Sequence, residues 1–256
     1  MSSITVRLEA EGTWAAFELR HPKGNIVTAE MIGELRTGLE IARQNTHLKL
    51  VTLEGHGPDF SFGASVPEHA ADEIRRVLPE MHRLIEDLLD MPAATAAIVR
   101  GRCLGGGLEL VLACDFIFAS RDAVFGLPEI ALGVFPPAAA VLLPARLGTP
   151  RATSAIVTGR PMPAADWHGA GAIELLSEPD ALAGDVAQWV AEHLAPTSAA
   201  AIRHATAAVR VALRAHARAT LPVVEQLYLD DLMRTADAVE GITAFMEKRP
   251  PQWKDR

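Results

Sequence analysis

Apolar residues run in strand fashion over Ile4 to Leu8 and again over Trp14 to Leu19, with Glu11-Gly12 between them. The pattern predicts two half-buried strands joined as a hairpin. After the loop His21 to Asn25 the period lengthens. Met31, Ile32, Leu35, Leu39 and Ile41 predict a helix capped by Thr28. Leu48 to Leu53 predicts a strand, followed by the turn-rich stretch Asp59 to Pro67 with its aromatics Phe60 and Phe62. Ile74, Val77, Leu78, Met81, Leu84, Ile85 and Leu88 recur at three- and four-residue steps, which predicts a long helix over Glu68 to Leu89 stopped by Pro92. A buried strand over Ala94 to Val99 leads into a glycine turn. A helix from Gly107 follows, with Glu109 in its first turn, then a strand over Asp115 to Ala119 and a short one at Val124-Phe125. Pro137 to Leu147 and Pro150 to Thr158 read as helices and Ile173 to Leu176 as a last strand. Beyond it, helices are expected over Asp180 to Leu194, Ser198 to His216, Leu221 to Arg234 and Ala236 to Lys248. A helical tail this rich in Ala, Leu and Val is expected to dock on another surface, such as a neighbouring subunit.

Composition narrows the picture. With 49% apolar residues among 256, a substantial core is available. A formal net charge of −8 argues against nucleic acid as a partner. Arg203, Arg210, Arg214 and Arg218 are spread along one predicted helix. They are expected to form a solvated or subunit-facing stripe, with a small anionic-ligand patch as the alternative. Cys103 and Cys114 are the only cysteines and form no CxxC pair, so free buried thiols in a reducing compartment are expected. The start lacks a basic region followed by an apolar stretch, and no apolar run reaches membrane-spanning length. The expectation is a cytoplasmic protein with no membrane partner. His21, His56, His69 and His82 lack metal-ligand spacing and are expected to be surface or capping residues, so no metal is expected.

The candidate chemistry gathers around Gly101-Arg-Cys-Leu-Gly-Gly-Gly-Leu-Glu109 and Phe125-Gly-Leu-Pro-Glu129. Glycines at a helix start present bare N–H donors, which favour an anion or a developing oxyanion. A second turn of small residues, Gly63-Ala64, offers another such donor. Two donors converging from separate loops would grip a polarised carbonyl oxygen, such as that of a thioester. Taken singly, a glycine run is most simply a turn and Glu109 a dipole-complementing residue. Yet the leucines around Glu109 leave little polar surface, and a carboxylate in apolar surroundings needs a partner or a task. Glu109 and Glu129 could share a water, one taking its proton while the other supplies a proton to carbon.

These segments, with Phe60-Ser-Phe-Gly-Ala-Ser65, Ala113-Cys-Asp115 and Phe125-Gly-Leu-Pro-Glu-Ile-Ala-Leu-Gly-Val134, resemble the enoyl-CoA hydratase (crotonase) family over essentially the whole chain. The resemblance implies an α/β fold built as a spiral of ββα units. The core would span residues 1–195 and a C-terminal helical oligomerisation region residues 196–256, making trimers or hexamers. It implies an acyl-CoA thioester substrate and no cofactor beyond the coenzyme A that the substrate carries. Matched position by position, Ala64 and Gly106 would supply the oxyanion amides, and Glu109 and Glu129 the catalytic carboxylates. Lys23, Gly24, Phe62, Ser65, Val66, Gly105, Phe135 and Pro136 would line the CoA and acyl sites. Retention of both glutamates points to a hydratase. The chain departs from the family pattern at Ser65 and Pro67, which stand where an Asp and a CoA-contacting Lys are usual, so the CoA phosphates would be held elsewhere. The same segment, together with Leu132-Gly-Val-Phe-Pro-Pro-Ala-Ala139, most resembles the members that add water 1,4 across a cyclic dienoyl-CoA in anaerobic benzoyl-CoA degradation. A general hydratase acting on linear 2-enoyl-CoA is the alternative. Two further rivals stand: a thioesterase using Ser65, His69 and Asp72, and an inactive thioester-binding scaffold.

Overall fold

The computed structural model describes residues 2–256. Strands β1 (Ile4–Glu9) and β2 (Trp14–Leu19) pair antiparallel, pairing Ile4 with Leu19. Every later strand of this sheet lies parallel to the one before it, and parallel neighbours require a crossover. Helix α1 (Ala29–Arg43) connects β2 to β3 (Leu50–Gly55), and α2 (Ala71–Leu89) connects β3 to β4 (Ala94–Val99). Between β4 and β6 (Phe116–Ser120) lie a short strand β5 (Arg102–Leu104) and helix α3 (Gly105–Leu112). A longer excursion holds β7 (Val124–Gly126), α4 (Pro137–Leu147), α5 (Thr149–Thr158), β8 (Met162–Pro163) and α6 (Ala164–Gly169) before β9 (Leu175–Ser177) closes the sheet. The result is a six-stranded sheet, β1-β2-β3-β4-β6-β9, and a three-stranded one, β5-β7-β8.

Both faces of the large sheet are covered, which is why β4 reads as an unbroken apolar run and is buried along its length. Phe17, Leu53, Ala97 and Ile117 face the main core with α1, α2, α3 and α4. Trp14, Ala16, Leu50, Ile98 and Phe118 face α7 (Leu182–His193) on the other side. Three predicted features are corrected. Ile41 is 70% exposed, lying off the buried stripe of Met31, Ile32, Leu35 and Leu39. Strand β3 is shifted towards Gly55, and β9 towards Ser177, relative to their apolar runs. The helix expected over Ser198 to His216 breaks at Arg210 into α8 (Ala199–Val209) and α9 (Val211–Gln226).

At that break the Arg210 side chain turns inward. It is 3% exposed, and its Nε donates to Asp115 Oδ1 at 2.7 Å. Its Nη groups donate to the carbonyls of Met91 (2.5 Å) and Ala93 (2.9 Å) and pair with the same carboxylate. Arg214 and Arg218 pair with Asp90, and Arg203 donates to the Thr46 carbonyl. The four arginines therefore tie the helical tail to the start of β6, the end of α2 and the loop before β3, each paired to this chain instead of forming an anion patch, although Arg218 stays exposed. After α9 the chain makes a π-turn over Leu227–Asp231 and a 3-10 turn over Leu232–Arg234, then ends in α10 (Ala236–Met246). Tyr228, Leu229 and Met233 pack there against Ile74 and Leu78 of α2 and against Val134.

Candidate active site

Two loops and a helix start meet at one place. Val27 and Ala64 form a parallel bridge, in which the Val27 N–H donates to the Gly63 carbonyl (2.9 Å) and the Ser65 N–H to the Val27 carbonyl (3.0 Å). In such a bridge the N–H of Ala64 itself points away from Val27. Gly106 lies close by: a Cβ there would come within 3.1 Å of the Ala64 Cβ and 3.2 Å of its nitrogen. Gly106 is the second residue of α3, where a backbone N–H has no acceptor within the helix. Two N–H donors from separate segments thus lie side by side. The neighbouring Gly105 has φ +48, and a Cβ on it would stand 2.5 Å from Glu129 Oε1. The glutamate reaches its position only because that Cα is bare.

The two acids reach the site differently. Helix α3 begins at Gly105, two residues before its expected start, so Glu109 sits in the second turn and not the first. It is 6% exposed, and its Oε1 accepts the Ala139 N–H at 3.0 Å from the first turn of α4. Pro136 and Pro137 start that helix and aim its free N–H groups at the carboxylate. Burial pushes the Glu109 carboxyl up, and the Ala139 N–H, then His82 and the Ala138 N–H, offset only part of that rise. Glu129 lies in a 3-10 turn over Pro128–Leu132 that Gly133 ends at φ +69. As a whole the residue is half-buried, but Oε2 is enclosed and has no hydrogen-bond partner among the described residues. Burial, and secondarily the charge of Glu109, push its carboxyl up to about 8. The carboxyl group, over whose two oxygens the charge would spread, is the enclosed part of the residue, and the backbone is the more open part. At Glu129 only its own backbone N–H opposes the rise, and burial and the Glu109 charge outweigh it, so Glu129 keeps its proton near neutrality.

Both glutamates, Ala64, Gly106, Phe135 and Pro136 line one cavity of ≈ 40 Å³, and Ser65 lines it too. Lys23, Gly24 and Phe62 lie apart from it, along an open groove of ≈ 1020 Å³ that also takes in Arg20, His21 and His56. Arg102 lies over the Phe62 ring, 5.6 Å from its centroid. Val66 and Pro67 form a 3-10 turn, Val66–His69, that follows Ser65. Sequence reasoning missed two wall residues. His69, expected to be a surface or capping residue, lines the cavity, and its ring Nδ1–H donates to the Ser65 carbonyl at 2.9 Å. That bond goes to the backbone and not to the hydroxyl, so the serine–histidine contact of a hydrolase triad is not formed. Tyr228 is 1% exposed and lines the same cavity. Its one sequence signal is being the only tyrosine in the chain, set in an apolar helical stretch. His82 is also buried, against expectation, with Nδ1 2.7 Å from Glu225 Oε2. Among the described residues no three His, Cys, Asp or Glu side chains cluster as metal ligands, and no helix is long and apolar enough to cross a membrane.

The family model for enoyl-CoA hydratase/isomerase matches residues 9–256. The chain is 43% identical over its full 256 residues to a cyclohexa-1,5-dienecarbonyl-CoA hydratase of Thauera aromatica, covering 98% of that protein. It is 32% identical to a probable enoyl-CoA hydratase of Rhizobium meliloti, with both chains fully covered. Among solved structures, an enoyl-CoA hydratase from Mycobacterium avium subsp. paratuberculosis superposes with a TM-score of 0.88 at 26% identity over the whole of both chains.

Proposed function

This chain belongs to the enoyl-CoA hydratase/isomerase family, and from that premise we propose that it hydrates cyclohexa-1,5-diene-1-carbonyl-CoA to 6-hydroxycyclohex-1-ene-1-carbonyl-CoA. The observation that carries the reading is the pairing of two carboxyl groups and two backbone N–H donors on one enclosed cavity. The 43% identity to the Thauera hydratase supports the cyclic substrate over a linear one, and the rigid wall of Phe135 and Pro136 suits a ring.

The steps follow from the proton arrangement. The thioester oxygen lies between the N–H groups of Ala64 and Gly106, which stabilise the negative charge that collects there. Glu109, whose Oε1 accepts the Ala139 N–H, acts as the base and takes a proton from water as the water oxygen bonds to the ring carbon β to the carbonyl. The electron pair moves through the conjugated system to the thioester oxygen, forming a dienolate. Glu129, which enters protonated, then gives its proton to the ring carbon opposite the new C–O bond. The remaining double bond ends up conjugated with the thioester, and the proton taken up by Glu109 resets the pair.

The open groove beside Lys23, Gly24 and Phe62 suits the CoA moiety, and Arg20, His21 and His56 supply the basic groups that Pro67 does not. No cofactor enters these steps. Val209 (81% exposed) and Val211 (63%) on the tail helices suit a subunit interface, so a homotrimer or hexamer is part of the proposal, with residues 196–256 as its oligomerisation region. The two free, buried thiols suit a cytoplasmic setting.

A substrate panel followed at the thioester-conjugation absorbance tests the proposal. The cyclic dienoyl-CoA should be hydrated faster than crotonyl-CoA, and Glu109→Gln and Glu129→Gln should each lower the rate by ~10²-fold or more with thioester binding retained. A preference for crotonyl-CoA would overturn the substrate, and near wild-type turnover in either variant would overturn the roles.

A further inference from the structure

Tyr228 stands out among the buried polar groups that the proposed mechanism leaves unused. Its hydroxyl is enclosed and has no hydrogen-bond partner among the described residues, and it lines the cavity shared by Glu109 and Glu129. Its ring meets Phe135 edge-on, with centroids 5.4 Å apart at 73°. The residue sits in the π-turn over Leu227–Asp231, an irregularity that changes which side chains face inward and that recurs at functional sites. An enclosed hydroxyl without a partner destabilises the resting fold, whereas a phenylalanine would fill the same space with no such penalty. Glu129 Oε2, the other enclosed orphan on this wall, has the complementary need.

We infer that Tyr228 is a further polar contact of the reacting groups, its O–H donating to the oxygen that is added to the ring. It would hold the water before the C–O bond forms and the new ring hydroxyl afterwards, with Glu129 across the cavity. This deepens the hydratase reading and rests on it. The phenol keeps its own proton throughout: burial, and then the charges of Glu129 and Glu109, push its ionisation well above the ordinary tyrosine range. It can therefore orient an oxygen but cannot act as a base.

Tyr228→Phe tests the inference. The variant should fold with an unchanged or higher Tm, while kcat for the cyclic dienoyl-CoA falls about tenfold or more, roughly one hydrogen bond's worth of transition-state contact. KM should stay within about twofold of wild type, because the CoA moiety is bound elsewhere. A second readout needs no turnover: wild type should bind 6-hydroxycyclohex-1-ene-1-carbonyl-CoA more tightly than cyclohex-1-ene-1-carbonyl-CoA, and Tyr228→Phe should lose that discrimination. If wild type hydrates the dienoyl-CoA while the variant keeps both its kcat and its preference for the hydroxylated ligand, the Tyr228 assignment fails alone. If wild type neither hydrates nor prefers the hydroxylated ligand, the hydratase reading fails and takes this inference with it.

Discussion

Replacing Glu129 with Gln should stabilise the protein while disabling it, and the gain should grow with pH. The carboxyl is pushed from an ordinary 4.5 up to about 8 in the folded chain. A raised folded value means that this group's contribution to stability is fully present below pH 4.5. It is then lost as pH climbs through about 8, because the unfolded chain ionises freely while the native cavity resists the charge. The linkage relation applied to these two values gives a native-state handicap of about 1 kcal/mol at pH 5, about 3 at pH 7 and about 5 at pH 9. Gln cannot ionise and escapes the handicap. Its buried amide adds an offset that does not vary with pH, so the slope of the difference is what matters. Urea denaturation of the two proteins at the three pH values measures it, since groups other than this acid and its neighbour Glu109 cancel between them to first order. A stability gap that stays level from pH 5 to 9, or one that shrinks as pH rises, would refute the reasoning. The same titration should appear in the wild-type hydration rate as a fall above pH ~8, where the proton donor is lost.

Other perturbations reach different parts of the structure. Arg210→Met removes the donor that serves the Asp115 carboxylate and the Met91 and Ala93 carbonyls. Stability should fall by about 3–5 kcal/mol, read in thermal melts as a Tm lower by roughly 6–20 °C. Gly105→Ala places a methyl 2.5 Å from Glu129 Oε1 and strains a φ of +48. It should cost about 1–2 kcal/mol in the same melts and lower hydration by ~10²-fold or more in the absorbance assay, through displacement of the acid.

Much of this arrangement was legible in the chain, and what was hidden has identifiable causes. Long elements announced themselves: the stripe from Ile74 to Leu88 is the buried face of α2, and the Thr28 hydroxyl accepts the Met31 N–H as its helical position demands. Strands β5 and β8 escaped because three and two residues are too few for a period to register. The split at Arg210 escaped for another reason. On the chain its charge looks like one member of an evenly spaced set, and only the distant carbonyls of Met91 and Ala93 turn it inward. Glu109, Glu129, Ala64 and Gly106 could be named because short motifs carry them, and the structure brings all four to one cavity. Tyr228 could not, because it lies 99 residues beyond Glu129 and no pattern of spacing links the two. The difference between the two acids was equally invisible, since it depends on the backbone of α4 at Ala139.

The cavity that holds both glutamates leaves water ≈ 40 Å³ to move in, between Phe135, Pro136, Pro137 and Tyr228. A substrate ring lodged against those walls would displace most of that solvent. Hydration there would draw its oxygen from the few waters left beside the two carboxyl groups, so water would act as a placed reagent and not as the surrounding medium.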